Sequence, residues 1–176
     1  MVDPRPVNGQ PFRALVCGDR NWTDGHTIGF LLSGLAWEWC KNGLVVIEGG
    51  AKGADSYAAG WCRIYGETSG VQVPGDCRIT HLQFPADWEH HHKAAGPIRN
   101  KKMLVEGKPD AVYAFHNDLA NSKGTKNMVD IANKAGVPTY IIASNIPMKL
   151  DEIEPVNVDK IRMELLQIGE EVDALI

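Results

Sequence analysis

Two glycine-rich turns carry the residue types best suited to chemistry in this chain. The first, Gly49-Gly50-Ala51-Lys52-Gly53-Ala54-Asp55, follows a short β-branched run and opens a helix of small residues. The second, Asn121-Ser122-Lys123-Gly124-Thr125-Lys126, repeats the theme further along the chain. Backbone N–H groups at a helix start, with the positive end of the helix dipole behind them, attract phosphate without needing a side chain. Glycines at 49, 50, 53 and 124 let an anion approach the main chain closely. Lys52 adds a neutralising charge and Thr125 a hydroxyl. Asp55 reads equally as a helix cap or as an acceptor for a ribose hydroxyl. Either turn alone also fits a tight strand-to-helix connection that holds nothing. Two of them at adjacent strand ends would clamp the two ends of one phosphorylated ligand.

Further candidates flank these turns. Gly18 closes an apolar run, and Arg20 follows it. Arg20 and the Arg99-Asn100 pair bring guanidinium groups suited to bidentate recognition of phosphate or carboxylate. Trp88 offers a face for a base, or a seal for the sheet edge. His90-His91-His92 has a metallic look but the wrong geometry, because consecutive helical residues point about 100° apart. An Asp87–His91 pair would lack a third ligand. No metal or cofactor is therefore expected. The Gly49 turn is neither G-x-G-x-x-G nor a Gly-Lys-Ser/Thr loop. A G-x-S-x-G elbow and a Cys-centred catalytic signature are missing as well.

The elements that position these residues follow from hydrophobic patterning. Short apolar runs at residues 14–18, 44–48, 79–84, 111–115 and 137–143 read as strands. Thr23 or Asp24 caps a helix striped by Ile28, Leu32, Leu35 and Trp39. A second helix spans about 53–65 and a third helical region about 85–106, with a kink or fresh start at Pro97. A fourth begins at Gly124, with Thr125, Val129 and Ala132 on one face, and ends at Gly136. Residues 67–77 read as an excursion loop. This alternation predicts an α/β fold, a Rossmann-like three-layer open parallel sheet of about five strands with helices on both faces. Ligands of such sheets sit outside the carboxyl ends of the strands, which puts both turns, Arg20 and Trp88 on one edge.

At 176 residues the chain suits a single domain. Residues 1–12 read as a flexible leader and 13–143 as the domain. Residues 144–176 form an extension whose stripe Val158, Ile161, Leu165 and Ile168 marks an amphipathic helix, for docking or for self-association. A net charge of −4 argues against a broad nucleic-acid-binding field. No apolar run approaches the roughly 18 residues of a membrane span, and the polar N-terminus is no signal peptide. Cys17, Cys40, Cys62 and Cys77 form no C-x-x-C pair and read as free thiols in a reducing cytoplasm.

Taken together, Val16-Cys17-Gly18-Asp19-Arg20-Asn21-Trp22, the Gly49–Asp55 turn, Pro85-Ala86-Asp87-Trp88, Ala95-Gly96-Pro97-Ile98-Arg99-Asn100 with Met103, and Pro109-Asp110 through Gly124-Thr125 resemble the YspA-type, YpsA-related branch of the SLOG superfamily. The resemblance spans residues 13–143. It implies a cytoplasmic protein that binds a nucleotide or nucleotide-derived phosphorylated ligand in a sensing or sequestering role, often in phage or mobile-element settings. Self-association into a dimer or higher oligomer is implied too. The ligand-binding set is then Gly18, Arg20, Gly49, Gly50, Lys52, Gly53, Asp55, Trp88, Arg99, Asn100, Gly124 and Thr125.

The related Lonely Guy phosphoribohydrolases carry P-G-G-x-G-T-x-x-E, whose glutamate works with an arginine. Gly124 and Thr125 match that motif, whereas Met128 stands where the glutamate would be. A methionine cannot carry a proton or support a cationic transition state. Two alternatives stay open. One is an N-glycosidic hydrolase of nucleoside monophosphates that uses Asp55, Asp87 or Asp118 instead. The other is a single-stranded nucleic-acid binder, like relatives in the DNA-processing protein A family.

Overall fold

The computed structural model describes residues 9–66 and 77–144. Most of the expected leader, the excursion loop up to residue 76 and the C-terminal stripe lie outside the described residues. Five strands alternate with helices: β1 (Phe12–Gly18), α1 (Gly25–Glu38), β2 (Leu44–Glu48), α2 (Ala54–Tyr65), β3 (Ile79–Gln83), α3 (Trp88–His91), α4 (Ala95–Val105), β4 (Ala111–Phe115), α5 (Gly124–Lys134) and β5 (Thr139–Ile142). The strands form one parallel sheet in the order β3-β2-β1-β4-β5.

Period-two alternation along the central strands divides the core into two layers. Phe12, Ala14 and Val16 of β1, with Leu44 and Val46 of β2, face α1 and α2, where they meet Ile28, Leu32, Ala58 and Trp61. Leu15, Val45, Ile47, Val112 and Ala114 face the other way and pack on Met103 of α4 and on Met128, Val129 and Ala132 of α5. Strands buried on both faces are apolar over most of their length, which is why the central parts of β1, β2 and β4 read as continuous hydrophobic runs.

Helix starts follow their capping chemistry. Asp24 caps α1, its carboxylate accepting from the Thr27 N–H at 3.0 Å. Pro97 lies in the first turn of α4, where a missing N–H costs no helical bond, so the expected break is a fresh helix start. Several boundaries differ from the sequence reading, and the helical region expected over 85–106 is divided into α3 and α4. Phe12, assigned there to the leader, opens β1 and stacks on Trp39 with ring centroids 4.9 Å apart. Strand β3 ends at Gln83, not 84, and β5 spans only Thr139–Ile142, within the expected 137–143. The glycine turns also do not end adjacent strands, because β2 and β4 lie on either side of β1.

No helix among the described residues is long and apolar enough to cross a membrane. Phe30 and Trp37 on α1 are 86% and 65% exposed, and Tyr57 and Ile64 on α2 are exposed as well.

Candidate functional site

Because β1 is flanked by β2 on one side and β4 on the other, chain reversal at its carboxyl end opens a crevice. A cleft of about 570 Å³ occupies it, lined by the β1–α1 loop, the start of α2, α4 and the first turn of α5. Gly18, Arg20, Asp55, Trp88, Arg99, Asn100, Gly124 and Thr125 all face this cleft. Gly49, Gly50 and Lys52 line a neighbouring chamber of about 440 Å³, together with Arg20, Trp88 and Arg99. Of the expected ligand-binding set, Gly53 alone is placed differently. Its φ is +73°, and a Cβ there would run into the carbonyl oxygen of Asp19. Its role is to let α2 start hard against the β1–α1 loop, where the Ala54 N–H donates to that same oxygen at 3.2 Å.

The two turns differ in how their backbone is used. In the first, the N–H groups of Gly49 and Ala51 donate to Asp55 Oδ2 at 3.0 and 3.2 Å, and Gly50 N–H donates to Glu48 Oε2 at 2.6 Å. Protein carboxylates thus occupy donors that the sequence reading offers to a phosphate. Asp55 serves neither as N-cap of α2, a position held by Gly53, nor as an exposed acceptor. It is buried and holds the preceding turn closed. At the second turn Ser122 Oγ accepts from Thr125 N–H at 3.2 Å, and the space beside the Gly124 Cα is open. The first turn of α5, with Lys123 next to it, is the better anion site of the two.

Arg99 and Asn100 tie both turns to α4. Arg99 Nη1 donates to the Gly49 carbonyl and lies 3.6 Å from Asp55 Oδ2, while its Nε donates to Asn100 Oδ1 at 3.0 Å. A side chain at residue 49 would occupy the space of this guanidinium, so glycine is required there. Asn100 Nδ2 in turn donates to the Gly124 carbonyl at 3.1 Å and to Asn127 Oδ1 at 3.0 Å. Arg99 is therefore a brace with one edge on the cleft, its side chain only 12% exposed. Arg20 is exposed, with its guanidinium carbon 5.6 Å above the Trp88 ring.

Burial pushes the Asp55 carboxyl up to about 6, against the opposing pull of Arg99. Cys17, at the cleft floor, has its thiol pushed far up by burial and by the Asp55 charge, so it stays protonated and is no nucleophile. Met128 faces the cleft and is fully buried, so the position of the Lonely Guy glutamate is cleft-facing but carries a thioether. Of the three carboxylates considered as its substitute, only Asp55 reaches the cleft. Asp87 caps α3 and pairs with His90, Nδ1 to Oδ2 2.8 Å, in place of the i,i+4 pairing with His91. Asp118 accepts from Asn121 N–H and Nδ2 at the surface.

The expected ligand-binding set leaves out several groups that the structure brings to the site. Lys93 and Lys123 face the cleft with Arg20 and Arg99, giving it four cations against the carboxylates of Asp19 and Asp55. Side-chain amides of Asn21, Asn121 and Asn127 join Asn100 there. Glu48 is fully buried at the end of β2, its Oε1 3.0 Å from His81 Nε2. A carboxylate ending an otherwise apolar strand directly before Gly-Gly is the signal that marks it. Among the described residues, no group of three or more His, Cys, Asp and Glu side chains is placed to hold a metal ion.

No family model and no solved structure matches the chain. It is 38% identical over 128 residues to the Gene 61 protein of Mycobacterium phage D29, a span of 72% of this chain and 92% of that protein. That relative comes from a phage, a setting the resemblance also pointed to.

Proposed function

The chain belongs to the family of the Gene 61 protein of Mycobacterium phage D29, and we propose that it binds a nucleotide or nucleotide-derived phosphate in the cleft at the end of β1. One observation carries this reading: a cleft with four cationic side chains at the strand-order reversal, with the first turn of α5 opening into it. The phosphate sits at Gly124 and Thr125 with Lys123 and Arg20 around it, and sugar and base lie among the asparagine amides. The same reading extends to membership of the SLOG superfamily, a sensing or sequestering role, and self-association. Light scattering reads the last of these. A thermal-shift panel of nucleotides tests the binding. A ligand at 100 times its Kd adds about 2.7 kcal/mol to stability, and a panel without any stabilising member would sink the proposal.

A second reading rests on Asp55. It is a cleft carboxylate titrating near 6 and lying 3.6 Å from an arginine, as a general acid or base in N-glycosidic hydrolysis requires. Incubation of nucleoside monophosphates with excess protein should then release free base, and Asp55→Asn should abolish the release. No release at enzyme excess removes this reading and leaves binding.

A further inference from the structure

The two chambers meet at Arg20, Ala51, Trp88 and Arg99, which face both. Their chemistry beyond that divide is different. The larger chamber has side-chain amides, the hydroxyls of Ser122 and Thr125, and two carboxylates, a set that satisfies a group rich in donors and acceptors. The smaller one has no carboxylate in its lining. It offers Lys52 as its own cation and the apolar Pro85-Ala86 surface, and it ends on the Trp88 ring, which is 50% exposed. A cationic wall beside a half-exposed aromatic ring, with Arg20 over one of its faces, suits a second phosphate followed by a ring stacked on the other face. At about 570 and 440 Å³, each chamber falls within the roughly 300–1,000 Å³ of small-molecule sites.

We infer that the ligand has two nucleoside-type units joined by a diphosphate bridge. One unit lies in the amide-lined chamber with its phosphate at the α5 turn. The bridge is this phosphate joined to a second one: it passes Arg20, where the chambers meet, its far phosphate faces Lys52, and the second unit lies against Trp88. This rests on the nucleotide-binding reading and names the class of ligand within it.

Calorimetric titration compares adenosine monophosphate with diadenosine diphosphate, and the guanine pair likewise, on the wild-type chain and on Lys52→Ala. Lys52 is exposed and faces only the smaller chamber, so its removal leaves the fold and the first unit's site alone. A linked second unit should bind about tenfold tighter or more than the mononucleotide. Lys52→Ala should erase most of that gain and leave mononucleotide affinity unchanged. Mononucleotide binding without any gain from the second unit overturns the inference and leaves the nucleotide reading standing. So does a Lys52→Ala loss equal for both probes. Absence of binding by every probe overturns both together.

Discussion

Asp55 and Arg99 set how the cleft wall responds to pH. The folded Asp55 carboxyl titrates near 6, against about 3.9 for an unfolded chain. Between those values the folded protein keeps a proton that the unfolded chain has already released, so stability falls as pH rises from about 4 to about 6. Asp55→Asn should lack that decline. The difference between the two denaturation profiles should be on the order of 2–3 kcal/mol across this window, at about 1.4 kcal/mol per pH unit. Identical profiles would mean that Asp55 is not buried as described. Arg99→Ala leaves the carboxylate without its counter-charge, at an expected loss of about 3 kcal/mol at pH 7. At pH 5, where Asp55 holds its proton, the loss should shrink, and urea titration at the two pH values separates the cases. Arg99 and Asp55 were both legible as candidates from residue type. That they face each other was not, because 44 positions of sequence separate them and only the packing of α4 over β2 brings them together.

At the scale of elements, the helix starts carry the site, and these were read well where a local signal exists. Asp24 before α1 and Pro97 in the first turn of α4 mark their helices by capping chemistry and by a missing N–H. The glycine turns were located correctly, but what fills their N–H groups was hidden. Glu48 and Asp55 look like an ordinary strand end and helix start until the turn folds back on both. Gly53→Ala tests the close approach of α2 to the β1–α1 loop. Its positive φ and the clash with the Asp19 carbonyl should cost about 1–3 kcal/mol in chemical denaturation. Asn100→Ala removes the tie from α4 to the first turn of α5 and takes away the donor to the Gly124 carbonyl and to Asn127 Oδ1. We expect a loss of about 1–3 kcal/mol together with weaker ligand binding. A variant as stable as the wild type would show that α5 is positioned without it.

For the whole molecule, the five-strand parallel sheet was legible from the alternation of apolar runs with helical stripes, since burial on both faces leaves residues 14–18 of β1, and β2 and β4 up to their last residues, without charged positions. The strand order was not legible from that pattern. It is the order that sets β1 between β2 and β4, and so opens the crevice between the two turns. The order also explains how a chain of net charge −4 presents four cations in one cleft: Arg20, Lys93, Arg99 and Lys123 come from three separate connections and helices. Amide NMR of the full chain titrated with adenosine and guanosine monophosphates tests the central claim most directly. Binding in the cleft should move the backbone signals of Gly124, Thr125 and Arg20 and the indole signal of Trp88, with α1 unaffected along its outer face. Shifts confined to surfaces away from these residues, or no shifts with any nucleotide, would contradict it.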